Sequence, residues 1–412
     1  MQFRNEKLDN GLEIIAECNE HAYSTALAFF VKAGSRDETA EISGVSHFLE
    51  HMVFKGTPRR SAADVNRELD ELGSHSNAFT SEEQTVFYST VLPEYQTDVL
   101  DLLADIMRPS LREEDFETEK KVIIEEIYKY EDQPPFGAHE KCMAHYFGDH
   151  PLGKNILGTV DTVGNLTPQQ MRSYFQSRYS PSNIVLAASG KIDFESLVSS
   201  ANDLCGSWEA FSADRVTSPC SAKSGFSVIE KETASQAYIV KISAGPQADH
   251  ADRFANRVLS TIVGDDTGSR FYWDLIDSGL AEYAGIGPYE FQGTGITMTY
   301  VCCSPDNAQK TIDIAHQIQS KIQSEGITND ELELAKSKIC SHLVRQSERP
   351  SNRLFSIGNG WIQRRGYSTI SERLEKYRSI TREDIHRIIE RYPLTDSTTV
   401  VVGPKINLNP PS

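Results

Sequence analysis

The sequence predicts an α+β protein of two homologous halves, each a mainly antiparallel sheet packed against helices. Three observations carry this. The segments "TPQQMRSYFQSRYSPSNIVLAASG" (167–190) and "TREDIHRIIERYPLTDSTTVVVGP" (381–404) share one plan. Each opens on a threonine suited to cap a helix, continues as an amphipathic helix to Tyr179 or Tyr392, and turns into an apolar β run ending at Gly190 or Gly403. The offset, 381 − 167 = 214 residues, is about half of the 412-residue chain. Near the start of each half, strand-like "STALAFFVKAG" (24–34) answers "QAYIVKISAG" (236–245). Finally, β-patterned "TVFYSTVL" (85–92) and "ITMTYVCC" (296–303) accompany helix-patterned 113–131 and 328–346, the arrangement of sheets facing helices.

The stretch "GSWEAFSADRVTSPCSAKSGFS" (206–227) is rich in Ser, Ala, Pro and Gly and has no clear period. It predicts domains at about 1–210 and 225–412, joined by a linker at 211–224. The length agrees, since 412 residues exceed one ordinary core.

Composition narrows the function classes. A net charge of −18 with no sustained basic stretch argues against a nucleic-acid partner. No run approaches the roughly 18 apolar residues of a membrane span, and the start "MQFRNEKLDNGLEIIAECNE" lacks the apolar core of a secretory signal. The seven cysteines form no CxxC pair and read as reduced core thiols. A cytoplasmic protein without membrane contact is the expectation.

One segment breaks its apolar surroundings. In "GVSHFLEHMVFKG" (44–56), His47 and His51 are four apart, so a helix projects both imidazoles from one face, with Glu50 beside them. Two neutral imidazoles one turn apart form a zinc half-site; a catalytic zinc adds a third protein ligand and keeps one position open. A carboxylate on another helix would complete it. "EDFETEKKVIIEEIYKYED" (114–132) offers Glu125 and Glu126 within an apolar stripe, and Glu119 seven residues before Glu126 on the same face. A solvated helix face with Lys120 and Lys121 as partners is the alternative for these acids. His75, His139, His145 and His150 have no local ligand spacing and read as packing or surface residues.

These residues carry a family resemblance. HxxEH is the inverted zinc motif, and "HFLEHMVFKGT" followed by "EKKVIIEE" resembles the pitrilysin, insulysin and mitochondrial processing peptidase family. The likeness extends to "LDNGLEIIAE", "GSHSNAFTSEEQTVFYSTVL", "HPLGKNILGT", "YSPSNIVLAASG" and, in the second half, "GITNDELELAKSKICSHLVRQSERPSNRLFSIGN" and "VVVGP", almost the whole chain. It implies the processing-peptidase (LuxS-like metallohydrolase) fold, a second domain without a metal site, and one Zn²⁺ per chain. The implied ligands are His47, His51 and Glu126, with Glu50 as general base and Glu119 as a further catalytic carboxylate near the metal. Asn77, Ala78, Phe79 and Thr80 match the family's active-site edge strand, which holds an extended peptide by β-augmentation.

A two-domain chain of this length resembles the processing-peptidase type, in which two chains form a clam-shaped dimer. The implied function is a zinc metalloendopeptidase cutting peptides or short unfolded segments inside a closed chamber. The alternative is a catalytically silent scaffold subunit, but such relatives lose parts of the zinc motif. One departure bears on the partner. The family's second domain pairs an Arg with a Tyr seven residues later to bind a substrate carbonyl. Here "SRFYWDLIDSGLAEYAG" keeps Tyr283 as a substrate-binding candidate, but Ile276 stands at the Arg position and Arg270 matches a different one. Either a homodimer or a heterodimer with a zinc-less homologous chain is therefore expected.

Overall fold

The most apolar run of the first half, Thr25–Val31, becomes a strand buried along its whole length. A strand buried on both faces sits in the middle of its sheet, and this one does. In the computed structural model, which describes residues 1–218, 220 and 223–411, the first sheet has six strands. They are β1 (Gln2–Lys7), β2 (Glu13–Cys18), β3 (Thr25–Val31), β4 (His75–Thr80), β5 (Thr85–Val91) and β6 (Ile184–Gly190). Their order is β1-β2-β6-β3-β5-β4, and only β2 and β6 run parallel. The second sheet has β7 (Gly225–Glu230), β8 (Ala237–Gly245), β9 (Tyr283–Phe291), β10 (Thr294–Cys303) and β11 (Ser397–Gly403), in the order β7-β11-β8-β10-β9. There β7 and β11 form the parallel pair. With β1 set aside, the two orders coincide strand for strand, so the internal repeat read from 24–34/236–245 and 167–190/381–404 is a repeat of topology. The expected helices lie at Glu113–Asp132 and Asn329–Ser347.

Contacts divide the chain into two units. The first comprises Met1–Tyr128, Lys154–Val216 and Arg345–Ser368; the second comprises Lys129–Gly153, Thr217–Val344 and the residues from Thr369 onward. A division at 210/225 would leave 129–153 with the first domain and 345–368 with the second. By contacts each belongs to the other unit, because the second face of each sheet takes its covering helix from the opposite half of the sequence. Part of the linker expected at 211–224 lies outside the described residues. Within the described part, Arg215 is no free spacer: its guanidinium binds Asp37 at 2.8 Å through Nε and the Glu83 carbonyl at 2.6 Å.

In the first unit, Leu27, Phe29 and Val31 of β3 face a core shared with helices Val45–Val53 and Gln96–Ile106. Ala26, Ala28 and Phe30 face the other way, onto Leu354, Ile357 and Ile362 of helix Pro350–Arg364. That helix crosses β3 at Gly358, where an added Cβ would lie 2.2 Å from the Phe30 ring. Its Arg353 makes a buried two-pronged pair with Glu17 of β2, at 2.6 and 2.7 Å. In the second unit, helices Arg253–Gly264, Ala308–Glu325 and Arg382–Arg391 cover one face, and helix Ala138–Phe147 packs Cys142, Met143, Tyr146 and Phe147 on the other. Among the described residues no helix is long and apolar enough to cross a membrane.

Candidate metal centre

The site is built on helix Val45–Val53, whose buried side chains include Val45, Phe48, Leu49, Met52 and Val53. Burying that stripe turns His47 inward and leaves His51 and Glu50 at its margin. The helix opens at Gly44, whose φ of +95° only glycine adopts readily and whose Cβ would meet the Leu157 carbonyl at 2.6 Å. Gly44 has no side chain to cap the helix, and Glu38 does so from outside. Glu38 Oε2 accepts the Gly44 N–H and Oε1 the Ser46 N–H, both at 2.8 Å. Burial raises the Glu38 carboxyl to about 8, against the pull of those two N–H groups and of Lys154. Tyr174 Oη lies 2.6 Å from Ser46 Oγ.

Helix Glu113–Asp132 supplies the carboxylates. Phe116, Ile123 and Ile127 bury its apolar side, which sets Glu119 and Glu126 toward the histidines. Glu126 Oε2 lies 3.8 Å from His47 Nε2 and 3.6 Å from His51 Nε2. The ligand atoms of His47, His51 and Glu126 all lie within 4.8 Å of one another, the one such group of His, Cys, Asp or Glu among the described residues. Ligands about 2.1 Å from one tetrahedral ion stand roughly 3.4 Å apart. Glu126 Oε2, 3.6–3.8 Å from each imidazole nitrogen, is close to that spacing, and the group as a whole is compact enough to draw in around a zinc ion. Glu125, the neighbouring alternative, is not in this group.

The surrounding hydrogen bonds decide which atoms face inward. Glu119 Oε1 is 2.9 Å from His51 Nδ1, and Lys55 Nζ is 2.6 Å from Glu119 Oε2. A carboxylate on Nδ1 holds the proton there and leaves the Nε2 lone pair toward Glu126. Burial opposes charge on Glu119, but the His51 and Lys55 hydrogen bonds outweigh it and lower its pKa. Burial also works against a charged His51, yet the Glu119 hydrogen bond and the charges of Glu126, Glu119 and Glu50 raise it above the usual histidine range. His47 is more enclosed; burial, with the His51 ring adding, lowers it to about 3 and keeps it neutral. Glu50 is raised by burial, in part offset by a 2.6 Å hydrogen bond donated by Thr80 Oγ1. A carboxylate with a raised pKa next to the ligand set suits a proton acceptor near neutral pH.

Thr80 brings the edge strand to the site. β4 pairs with β5 through His75↔Thr90 to Thr80↔Thr85, and among the described residues no strand pairs with its other edge. Ala78 packs toward the core of the HFLEH helix, while Phe79 lies on the opposite face, 6.0 Å from the Phe355 ring. Asn77 is exposed, and its Oδ1 accepts the Ala78 N–H at 2.9 Å. Tyr283 belongs to the second unit, where it begins β9, the counterpart of β4 in strand order; it is half-exposed. Ile276 ends a π-helical turn, Tyr272–Ile276, and packs on the second core. Arg270 is committed to Glu331 at 2.7 Å and to the Gly326 carbonyl. His150 contacts the Ser218 carbonyl and His139 lies 3.6 Å from Glu140, consistent with packing. Glu38 and Lys55 were not singled out in the sequence. Lys55 has a local signal, lying four residues after His51 just past the end of the helix; Glu38 has none.

Residues 13–160 match the family model described as insulinase (peptidase family M16), and residues 165–339 match the peptidase M16 inactive domain. An uncharacterized zinc protease of Rickettsia bellii is 30% identical over 406 residues, covering 98% of each chain. One of Bacillus subtilis is 29% identical over 412 residues, covering 97% of this chain and 98% of that one. Among solved structures, a protease from Helicobacter pylori matches with a TM-score of 0.90 at 21% identity, covering 98% of this chain and all of that one. A peptidase M16 inactive domain from Pseudomonas fluorescens matches with 0.91 at 17% identity over both full chains. At these identities the two structures speak for the fold.

Proposed function

This chain belongs to the insulinase family, peptidase family M16, and from that premise we propose that it is a zinc metalloendopeptidase acting on extended peptides. The observation that carries the proposal is the convergence of His47 Nε2, His51 Nε2 and Glu126 Oε2 beside a second, non-ligating carboxylate on the same helix. When bound there, zinc supplies Lewis acidity: it polarises an amide carbonyl and acidifies water.

The chain's own groups do the rest. A peptide laid along the open edge of β4 pairs with its backbone, which fixes the scissile bond relative to Glu50. The Glu50 carboxylate takes the proton of the attacking water and passes it to the departing amine. Thr80 Oγ1, hydrogen-bonded to Glu50 Oε2, holds that carboxylate in one orientation and ties it to the strand on which the peptide lies. Glu119, clamped by Lys55, keeps the His51 proton on Nδ1. Asn77, Ala78, Phe79 and Thr80 contact the peptide, and Tyr283 is available to serve a carbonyl of a peptide held by a partner chain. The chain works as half of a dimer, with itself or with a zinc-less homologue that carries the Arg missing at Ile276. Arg270, held by Glu331, is not available to replace it.

The test is hydrolysis of internally quenched peptides by the purified protein, with and without a chelator, beside Glu50→Gln. We expect chelation to abolish cleavage, and Glu50→Gln to retain zinc while losing about 10²–10⁴-fold in kcat. A wild-type protein that holds zinc and cuts no peptide favours the silent-scaffold reading instead.

A further inference from the structure

The two histidines of the site are held differently. His51 is steered through its Nδ1 by Glu119, which Lys55 holds in turn. Nitrogens of metal-binding histidines usually have such a partner. His47 Nδ1 is buried and finds no hydrogen-bond partner among the described residues. The direction of its ring is therefore left to its packing and to the placement of the backbone that carries it.

That backbone is anchored just before His47. His47 is the third residue of the helix, and the residue before it, Ser46, donates its N–H to Glu38. Glu38 also takes the N–H of Gly44, so one carboxylate spans the first turn. A local cap is ruled out at Gly44 by its φ of +95° and by the Leu157 carbonyl 2.6 Å from any Cβ. The usual Ser, Asp or Asn would fit neither the angle nor the space. A buried carboxyl group six residues upstream takes that role, its two oxygens set against the N–H groups at the positive end of the helix dipole. The Tyr174 hydroxyl fixes Ser46 from a third element.

We infer that Glu38 is the positioning residue for His47: its carboxyl group sets the start of the HFLEH helix and so aims an imidazole whose Nδ1 has no hydrogen-bond partner among the described residues. The inference rests on the reading of His47, His51 and Glu126 as zinc ligands. It predicts that metal affinity depends on a residue that touches neither metal nor substrate.

The test compares wild type, Glu38→Gln, Glu38→Asp and Gly358→Ala. The last strains the same unit on the opposite face of its sheet. Zinc affinity is measured by competition with a fluorescent chelator, the ligand field by the visible absorption of Co²⁺ added alone, and folding by thermal melting of the metal-free protein. In Glu38→Gln the amide NH₂ faces one backbone N–H, donor against donor, and zinc affinity should fall about 10–100-fold with a shifted Co²⁺ band. Glu38→Asp keeps the carboxyl group but reaches at most one N–H. It should lose several-fold, and it decides the matter if the Gln variant does not fold. Gly358→Ala should melt lower yet hold zinc as wild type does. Wild-type affinity in both Glu38 variants, or an equal loss in Gly358→Ala, overturns the inference while leaving the zinc site standing. A wild-type protein that binds no zinc overturns the site itself, and this inference with it.

Discussion

Gly358 is the place where helix Pro350–Arg364 touches β3, and replacing it with alanine tests the packing of the first unit directly. The new Cβ would lie 2.2, 2.3 and 2.7 Å from three carbons of the Phe30 ring. Carbon atoms rest at about 3.5–4.0 Å, so more than ~1 Å must open between helix and sheet. Phe30 cannot turn aside: it is fully buried in a strand packed on both faces. Overpacking of this kind costs about 1–3 kcal/mol, and the better helix propensity of alanine returns about 1 kcal/mol. Three contacts this short put the overlap at the upper end of that range, so the expected net loss is about 2 kcal/mol. Phe30→Leu removes the clashing ring, so the double variant should be more stable than the sum of the single losses, with a coupling of about 1–2 kcal/mol. Because two units need not unfold together, the assay is hydrogen exchange of the β3 and β6 amides in a urea series. A Gly358→Ala protein as stable as wild type, or a double variant that merely adds the two losses, refutes the packing argument.

Two further predictions concern buried charge. Lys241 of β8 is 8% exposed and donates to Gln319 Oε1, with His316 nearby. Burial lowers its pKa from 10.5 to about 8. Below pH 8 the folded protein carries the full cost of the buried ammonium; between 8 and 10.5 the folded state releases the proton while the unfolded chain keeps it, so stability rises with pH across that window. The difference, 10.5 − 8 = 2.5 pH units, amounts to about 3 kcal/mol. The stability of Lys241→Met relative to wild type should fall by about that much from pH 7 to 10.5 in urea titrations, and a difference that stays flat with pH would show that the lysine is not desolvated. Arg353→Met leaves Glu17, 1% exposed, as a buried carboxylate without its cationic partner, held among the described residues by the Tyr367 hydroxyl alone, and should cost about 3–5 kcal/mol. Arg353→Met with Glu17→Gln should recover a large part of this in the same denaturation assay.

Much of this molecule is readable from local pattern, and the unreadable parts share a cause. β3, β6, β8 and β11 announce themselves as apolar runs because central strands bury both faces. His47, Glu50 and His51 are legible because one helical turn brings i and i+4 together. Glu126 cannot be separated from Glu125 by periodicity; the family resemblance chooses it, and Glu126 is the one that lies with the two histidines. The exchange of residues 129–153 and 345–368 between units left no trace in the sequence. An apolar stripe shows that a helix packs, never on which sheet. Arg215 read as linker because a charged residue in a Ser- and Ala-rich stretch looks solvated, yet it pairs with an aspartate 178 residues away. Glu38 is silent for a related reason: it caps the HFLEH helix across a loop, without the fixed spacing of a capping box.

The exchanged helix also bears on how the protein is made. By the time β6 ends at Gly190, all six strands of the first sheet have been synthesised, but Ala26, Ala28, Phe30, Val86, Val185 and Ala187 still lack their cover. That cover begins at Pro350, 350 − 190 = 160 residues later. At about 5–20 residues per second the ribosome takes roughly 8–32 seconds to reach it. For that time the nascent chain carries a finished sheet with one oily face open, a surface suited to a chaperone and exposed to wrong partners. The first half of the gene thus encodes a unit that stays incomplete until the second half has almost been read.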